Sequence, residues 1–350
     1  MPLAPMPLAA PPLAPQLRPA LTALAHHHGF HRVRFATAGP TPGPERLERY
    51  LAEGRHAGMD WFADTRDQRL DPSLLLSDVR TVMVLGMDYG WPAPPDPGGL
   101  TGRVSCYAWG RDYHNMLEKR LRKLRGVVQA RWPGLRAWIG VDRAPAWERA
   151  WAEASGLGYA GKNACIIAPG ETSYFFLAVL YLNREVEPDP PITEHCGGCQ
   201  RCLVACPTGA LVGPGRLDAR RCISYYTIEH DGPIPLDLRP RFGTWLFGCD
   251  ACQTVCPHVT TRGVGAPDFT PRNAWLDLEW LLDLPDADLV TWTTGTPLRR
   301  AAPHRLKRNA LVVLGNRRDP AARPVLERAW RSGDPVLGEH AAWALDRLGR

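Results

Sequence analysis

Hydrophobic positions in the first half of the chain alternate between helical and strand patterns. Apolar residues fall on one face of the segments 18–30, 44–57 and 113–131, which predicts amphipathic helices. Short apolar and partly β-branched runs predict buried strands at 81–87, 135–141, 165–168 and 173–182. Helix and strand therefore alternate up to about residue 185, which indicates an α/β region.

A different pattern follows the acidic, proline-rich linker EVEPDPPI at 185–192. Cysteines dominate the next segment, and helical periodicity returns clearly only at 310–314 and 340–348. The loop between these two helices contains Asp319 and Pro320, which suggests one helical hairpin, although repeat arrays usually need about three. We therefore expect an α+β multidomain protein. Its predicted parts are a flexible tail at 1–17, an α/β domain at 18–185, a cysteine-rich domain at 186–265 and a helical region at 266–350.

Composition places the protein among ordinary globular chains. Hydrophobic residues make up 45% and charged residues 22% of the 350 positions, which excludes a wholly disordered or fibrous chain. The longest strongly apolar run, 174–182, is far shorter than the roughly 20 residues needed to cross a bilayer. Prolines interrupt the first 17 residues, unlike a secretory signal. We expect a cytoplasmic protein without a membrane span.

The net charge of +6 is concentrated at the C-terminal end. Residues 299–350 contain twelve basic and five acidic residues, so this segment carries +7 and the rest of the chain −1. A basic end on a nearly neutral body suggests a polyanionic partner, and the alternative is a merely solvated charged face. The densest part of the basic end contains Arg299, Arg300, Arg305, Lys307 and Arg308.

Eight of the ten cysteines are spaced like iron–sulfur ligands. The first group ends at Cys206 and has the spacing C-x2-C-x2-C-x3-C-P, which is that of bacterial ferredoxins, where the fourth cysteine ligates the other cluster. The second group ends at Cys256 and reads C-x2-C-x3-C-P, one cysteine short. Cys222 lies between the two groups and brings the number of candidate ligands to eight.

Eight thiols suffice for two [4Fe–4S] clusters if the last cysteine of each group serves the cluster of the other. The expected sets are Cys196, Cys199, Cys202 and Cys256 for one cluster, and Cys206, Cys222, Cys249 and Cys252 for the other. Structural zinc also takes four cysteines, but it has no use for the repeated x3-C-P ending. Disulfides are a further alternative, less expected in a reducing cytosol. Cys106 and Cys165 stand alone and are expected to be small buried hydrophobes.

Two neighbouring clusters conduct electrons but do not identify what receives them. The segment upstream of residue 185 is too large to be an appendage of a ferredoxin. We therefore expect a redox-active substrate or cofactor to dock there.

Several segments together resemble the epoxyqueuosine reductases. The longest is residues 141–166, VDRAPAWERAWAEASGLGYAGKNACI. The others are GMDW at 58–61, RDYH at 111–114, CISYYTIEH at 222–230, CDACQTVCP at 249–257, and KRNALVVLGN at 307–316 with the helix at 340–345. The resemblance runs from about residue 20 to the end of the chain. Trp109 and Asp64 depart from the family pattern, which leaves contacts around these two positions open.

This resemblance implies a cytoplasmic, monomeric oxidoreductase that carries cobalamin and two [4Fe–4S] clusters. Such an enzyme reduces the epoxide of epoxyqueuosine at the wobble position of tRNA to queuosine, the last step of queuosine biosynthesis. The electron donor stays unidentified. The resemblance also implies that the α/β domain binds cobalamin, that the cysteine-rich domain is ferredoxin-like, and that a C-terminal HEAT-like repeat helps to hold the anticodon stem-loop.

The resemblance assigns roles to individual residues as well. Asp142 matches the family's proton donor, a role that needs a neutral carboxyl with a raised pKa; the alternative is a turn cap before Pro145. The five basic residues at 299–308 become candidate phosphate contacts. The implied cobalamin contacts are Asp142, Lys162, Asn163, Ile166, Ser173 and Ser224.

Two other functions compete with this one. A corrinoid reductive dehalogenase would use the same cofactors, but such proteins usually carry a twin-arginine export signal and lack a basic helical end. An electron carrier or RNA-binding iron–sulfur protein would have no catalytic role, and a bound corrin would exclude it.

Overall fold

The structure, a computed structural model, describes residues 16–259 and 265–349. Most of the predicted flexible tail, residues 1–15, lies outside the described residues. Leu17, the last residue of that tail, instead begins helix α1 (Leu17–His27) and is buried. No helix in the described part of the chain is long and apolar enough to cross a membrane.

A four-stranded antiparallel sheet forms the centre of the first half. Its strands are β1 (Arg32–Thr37), β2 (Thr81–Asp88), β4 (Ala137–Gly140) and β7 (Phe175–Leu182), in the order β1-β2-β7-β4. Every neighbouring pair is antiparallel. The expected α/β alternation is therefore wrong in its topology, because helices that separate strands along the chain need not make parallel crossovers. The fold is α+β.

Both faces of this sheet are covered, which explains why β2 reads as a continuous apolar run. Met83 and Leu85 face a core that they share with α1 and with α5 (Tyr113–Arg131). Val82 and Val84 face the other core, beneath α6 (Glu148–Ala154). The predicted strand at 165–168 is only β6 (Ile166–Ile167), and it pairs with β5 (Tyr159–Ala160) outside the main sheet.

A second sheet connects distant parts of the chain. Strand β3 (Thr101–Val104) pairs in parallel with β10 (Trp245–Phe247) and antiparallel with β11 (Trp275–Asp277). Each strand comes from a different one of the three predicted domains, and one hydrophobic core contains residues from Leu17 to Ala344. These strands are too short to have a clear pattern in the sequence.

The cysteine-rich segment contains short helices that each follow or contain cysteines. They are α7 (Arg201–Ala205), α8 (Ile223–Ile228) and α9 (Ala251–Thr254), with the hairpin of β8 (Leu211–Gly213) and β9 (Arg216–Leu217) between the first two. Helices α7 and α9 pack against each other. This contact brings the two cysteine groups together.

The C-terminal region contains more helices than the expected hairpin. They are α10 (Leu278–Asp283), α11 (Asp286–Thr293), α12 (Pro303–Arg317), α13 (Arg323–Trp330) and α14 (Pro335–Leu348). The predicted loop after Asp319 thus holds an additional helix, α13, and α14 packs against both α12 and α13. Three short helices complete the N-terminal half: α2 (Pro44–Ala52), α3 (Trp61–Asp64) and α4 (Arg66–Leu70).

Candidate functional site

Four of the predicted ligands line one small cavity. They are Cys196, Cys199, Cys202 and Cys256, the set that the sequence assigned to one cluster. The backbone N–H of Lys162 points at the Cys196 sulfur, 3.4 Å away, as donors do around cluster thiolates. Gly197 adopts a φ of +51° in the turn between the first two cysteines, which favours glycine. Among the described residues, no group of three or more potential ligands stands close enough to share a single metal ion.

The other four thiols are half-buried. Burial, followed by the charges of Cys222, Asp250 and Cys206, raises the pKa of the Cys249 thiol. Burial likewise raises the pKa of Cys252, whose neighbours include Cys165, Cys249, Cys222 and Cys206. The N–H of Ala210 lies 3.2 Å from the Cys206 sulfur. The structure therefore brings the second predicted set together, next to the first.

The two remaining cysteines are both enclosed. Cys106 is buried, and its backbone N–H donates to Asp250 Oδ2 at 2.8 Å. Cys165 is half-buried, and burial raises the pKa of its thiol to about 11. Their surroundings are those of small enclosed side chains.

Asp142 lies just beyond the end of β4 in a left-handed conformation, with a φ of +36°. This conformation is unusual for a residue other than glycine and is typical of functional loops. Its Oδ2 accepts a hydrogen bond from Tyr113 Oη at 2.7 Å and contacts His114 Nε2 at 2.6 Å. The other nitrogen of the His114 ring lies 2.8 Å from Asp112 Oδ1. Although its partners are buried or half-buried, the Asp142 side chain is 57% exposed.

These contacts shift the pKa values of both groups in directions that favour a proton on histidine. Burial would lower the pKa of His114, but hydrogen bonds and charge from Asp112 and Asp142 outweigh it and raise the pKa. Desolvation would raise the pKa of Asp142, but the hydrogen bond and charge of His114, with a bond from Tyr113, lower it to about 2. A proton donor at neutral pH needs a shift in the other direction, and the sequence did not show which cation faces the carboxylate.

The pKa of a second carboxyl group near this site shifts in the opposite direction. Desolvation, followed by the charge of Asp142, raises the pKa of Glu148 to about 7. Its Oε1 is buried and has no hydrogen-bond partner among the described residues. Glu148 lies in the first turn of α6 and belongs to the motif at 141–166. Neither Glu148 nor His114 was assigned a role from sequence, although both occur in the motifs that carry the family resemblance.

The predicted cobalamin contacts are distributed around the cysteine cavities. Lys162 Nζ donates to Gly197 O at 2.7 Å, and Asn163 Nδ2 lies 3.3 Å from Cys252 O. Ser173 is buried and bonds through Oγ to Gln253, while Ser224 is half-buried in α8. Ile166 packs in the hydrophobic core, so its side chain offers no surface to a cofactor.

The two departures from the family pattern lie in different surroundings. Trp109 is buried, and its Nε1 donates to Val104 O at 2.8 Å. Asp64 is exposed at the end of α3. Trp109 is thus a core residue, and a contact from its side chain to a cofactor is excluded here.

The basic residues at 299–308 have different environments. Arg299 is exposed and has no ion-pair partner among the described residues. Arg300 forms a bidentate pair with Glu229 and lies over the ring of Trp61, 5.1 Å from its centroid. Arg305 pairs with Asp231 and Lys307 with Asp286.

Arg308 is wrong as a predicted phosphate contact. It is fully buried, and its guanidinium donates to the carbonyl oxygens of His230, Gly232 and Tyr226. The sequence could not separate Arg308 from the partly exposed Arg305 and Lys307, because the burial of each side chain depends on what packs against α12.

Family models match two parts of the chain. Residues 195–259 match the 4Fe-4S double cluster binding domain, and residues 69–142 match the model described as Epoxyqueuosine reductase QueG, DUF1730. Together with the two sets of thiols, this defines an iron–sulfur oxidoreductase with a double [4Fe–4S] cluster domain.

Full-length relatives identify the family. Epoxyqueuosine reductase of Pseudomonas aeruginosa is 41% identical over 99% of this chain and 99% of its own length. That of Xanthomonas campestris is 40% identical over 93% of this chain and 94% of its own length. The Escherichia coli enzyme is 38% identical over 91% of this chain and 86% of its own length. The chain belongs to the epoxyqueuosine reductase family, which confirms the resemblance found in the sequence.

Solved structures agree with this assignment. A crystal structure of epoxyqueuosine reductase with an epoxyqueuosine-modified tRNA-Tyr stem loop aligns with a TM-score of 0.87 and 31% identity, over 97% of this chain and 92% of the other. A Bacillus subtilis epoxyqueuosine reductase, whose aspartate catalytic loop is swung out of the active site, aligns over the same shares of both chains with a TM-score of 0.88 and 31% identity. Reductive dehalogenase structures align with TM-scores of only 0.34 to 0.38.

Proposed function

We propose that this protein reduces the epoxide of epoxyqueuosine in tRNA to the alkene of queuosine. The observation that carries this proposal is an exposed aspartate, Asp142, hydrogen-bonded to His114 in a chain whose fold also brings two sets of four thiols together. Removing an epoxide oxygen as water takes two electrons and two protons. The thiol sets supply an electron route, the Asp142 site supplies one proton, and solvent supplies the other. The relative solved with a modified stem loop supports tRNA as the carrier of the substrate.

The finer assignments are part of the same proposal. The cysteine sets predicted from sequence each ligate one [4Fe–4S] cluster, within a ferredoxin-like domain at 186–265. A cobalamin domain at 18–185 precedes it, and a HEAT-like helical region at 266–350 follows. The protein acts as a monomer in the cytoplasm.

The residues around Asp142 fit a corrin. Asp142 is open to solvent beside a wall of stacked rings, where Tyr113 lies parallel to Phe176 at 4.0 Å. The amides at the edge of a corrin need hydrogen-bond partners, and Lys162, Asn163 and Ser224 are polar side chains next to the thiols. Cobalamin, when bound, supplies the electrons to the epoxide carbon.

The protein's own groups hold and deliver the proton. The leaving oxygen of the epoxide approaches Oδ2 of the Asp142 carboxyl, the oxygen that is bonded to His114 and Tyr113. Covering Asp142 removes water from it and raises its pKa, so the proton of the His114 imidazolium moves to Oδ2 and then from Oδ2 to the leaving oxygen. Asp112 holds the histidine ring in the required orientation at 2.8 Å.

The basic C-terminal region positions the anticodon stem-loop. Arg299 is free to meet a phosphate directly. Arg300 is partly exposed, whereas Arg305 and Lys307 are mostly buried behind the exposed carboxylates of Asp231 and Asp286. A phosphate that approaches them replaces these carboxylates. Their contribution to binding is electrostatic and salt-dependent.

The test is anaerobic reaction of the reconstituted enzyme with epoxyqueuosine-containing tRNA, followed by nucleoside mass spectrometry. We expect loss of one oxygen from the modified nucleoside. In Asp142→Asn this loss should slow by about 10²–10⁴-fold, the usual contribution of general acid catalysis. A reconstituted enzyme with full iron and cobalamin that leaves the nucleoside unchanged would refute the proposed function.

A further inference from the structure

A charged pair, Glu229 and Arg300, lies near the Asp142 site. We propose that Glu229 recognises the base of the substrate by accepting hydrogen bonds from its N1–H and 2-amino groups, while Arg300 and Trp61 hold the Glu229 carboxylate in position. This inference rests on the proposed function, because it takes epoxyqueuosine as the substrate and adds the residue that selects its base.

The carboxylate of Glu229 is fixed by an ion pair with two hydrogen bonds. Its Oε1 accepts a hydrogen bond from Arg300 Nε at 2.7 Å, and its Oε2 accepts one from Arg300 Nη2 at 3.1 Å. The guanidinium of Arg300 lies over the ring of Trp61, 5.1 Å from its centroid. A carboxylate offers about four lone-pair sites, so the two bonds to Arg300 leave Glu229 able to accept further hydrogen bonds.

Helix α8 positions both Glu229 and the loop that carries Trp61. Glu229 directly follows α8, and the same helix begins after Cys222, one of the predicted cluster ligands. Tyr225, in the middle of α8, accepts a hydrogen bond through Oη from the Gly58 N–H at 3.1 Å. Gly58 is the first residue of the segment GMDW, which ends at Trp61. One helix therefore links a thiol of the second set to the charged pair.

Contacts connect the end of α8 with the aromatic rings beside Asp142. Thr227, in the last turn of α8, accepts a hydrogen bond through Oγ1 from the Gly248 N–H at 2.9 Å. A side chain added at Gly248 would lie 3.2 Å from the ring of Tyr107, so the Gly248 backbone passes directly beside that ring. The Tyr107 ring is 6.1 Å from that of Tyr113, whose Oη donates to Asp142 at 2.7 Å. A continuous row of contacts therefore runs from α8 to Asp142.

Electrostatic interactions between these groups agree with the contacts. Burial raises the pKa of Tyr107, and the charges of Asp142 and Glu229 are among the further causes. The hydrogen bond to Glu229 is the main cause that raises the pKa of Arg300, and the charge of Asp142 contributes as well. Both members of the charged pair therefore lie within electrostatic reach of the site that delivers the proton.

The substrate has its reacting group and its base edge at opposite ends. Epoxyqueuosine is a 7-deazaguanine nucleoside, and its epoxide belongs to a ring that is attached through an aminomethyl arm at position 7. The edge with the N1–H and 2-amino donors faces away from that arm. Bases flipped into an enzyme are read by hydrogen bonds on this edge, and a carboxylate accepts from two neighbouring donors. With the epoxide at Asp142, the base edge needs an acceptor at a second position, which Glu229 supplies.

The alternative is an ion pair that only stabilises the fold. The side chain of Glu229 is 19% exposed and that of Arg300 is 37% exposed, so the pair is partly open to solvent. Such a pair contributes little to stability. A purely structural pair would also not distinguish two bases that differ by one amino group, so base identity separates the two interpretations.

The test compares two stem-loops, which carry guanosine or inosine at the wobble position. Guanine has the same donors on this edge as 7-deazaguanine, and inosine keeps N1–H but lacks the 2-amino group. Dissociation constants with the reconstituted enzyme are measured anaerobically by fluorescence anisotropy for the wild type, Glu229→Gln and Glu279→Gln. Glu279 is the matched control, because it is also paired with an arginine, Arg328, but lies in α10.

We expect the wild type to bind the guanosine stem-loop about tenfold more tightly than the inosine stem-loop, the usual effect of one hydrogen bond to a charged group. In Glu229→Gln this ratio should fall to about threefold or less, because a neutral amide is the weaker acceptor. In Glu279→Gln the ratio should stay unchanged. Equal weakening of both stem-loops in Glu229→Gln, with the ratio kept, would overturn the inference. A wild type that does not distinguish the two stem-loops would overturn it as well, and so would loss of the ratio in Glu279→Gln.

Two further measurements keep other failures distinguishable. Failure of the proposed function would leave the modified nucleoside of epoxyqueuosine-containing tRNA unchanged by the wild type, whatever the ratio between the stem-loops. Iron content and circular dichroism show whether Glu229→Gln is folded. If it is not, Glu229→Asp, which keeps the charge but withdraws the carboxylate by one methylene group, must lower the ratio to the same extent, or the inference fails.

Discussion

The His114 side chain is the most informative position to perturb. Its ring lies between two carboxylates, 2.8 Å from Asp112 and 2.6 Å from Asp142. Replacing it with glutamine keeps a polar side chain but removes the positive charge and one of the two ring donors. The variant His114→Gln therefore separates the charge of the site from its shape.

The size of the effect follows from the pKa of Asp142. The drop from 3.8 to about 2 corresponds to ~2.5 kcal/mol at ~1.36 kcal/mol per pKa unit. Because the Asp142 side chain is 57% exposed, screening by solvent reduces this to about 1 kcal/mol. Removing His114 therefore makes Asp142 about fivefold easier to protonate, which partly offsets the loss of the stored proton. That loss removes a general-acid contribution at the lower end of about 10²–10⁴, because Tyr113 still donates to Asp142.

The pH dependence distinguishes a proton store from a structural residue. The pKa of His114 is raised in the folded protein, so the imidazolium is fully present below about pH 6.5 and is lost as pH rises through the raised value. Epoxide reduction by the wild type should accordingly decline on the alkaline side. In His114→Gln the rate should be about 10²-fold lower at neutral pH, and this alkaline decline should disappear.

The assay is dithionite-driven turnover of modified tRNA between about pH 6 and 9, with iron content measured on each preparation. His31→Gln is the matched control, because His31 also faces an aspartate, Asp88, but outside the Asp142 site. An unchanged alkaline decline in His114→Gln would refute the reasoning, and so would an equal loss of rate in His31→Gln.

Three further predictions concern the cysteines and the basic region. Cys202→Ser should lower the iron content from about eight to about four atoms per chain, whereas Cys106→Ser should leave it unchanged; iron analysis and the cluster absorbance check both, and equal losses would contradict the assigned sets. Arg299→Glu should weaken stem-loop binding and lower its salt slope by about 1 or more without changing the thermal unfolding temperature. Arg308→Met should leave buried carbonyl oxygens without donors, at about 1–3 kcal/mol each, so it should lower the unfolding temperature; a normally stable Arg308→Met protein would contradict the structural role of this residue.

The sequence by itself determined the elements that depend on local pattern and on fixed spacing. The spacing of two cysteine groups, each ended by proline, predicted which four thiols share a cavity, since the last cysteine of a ferredoxin run serves the other cluster. The apolar run at 81–87 and the periodicity at 113–131 predicted β2 and α5 because burial of a face leaves its period in the sequence.

The tertiary structure alone decided how these elements meet. Strand direction is not encoded in an apolar run, so the antiparallel order of the main sheet was not predictable from alternation. The environments of Arg299 and Arg308 differ because Arg299 lies in the turn before α12, whereas Arg308 lies on the side of α12 that packs against α8 and the loop after it. The pKa of Asp142 depends on His114, a residue 28 positions away whose contact is made by folding. Charge and burial are properties of neighbours in space, and a linear sequence does not record them.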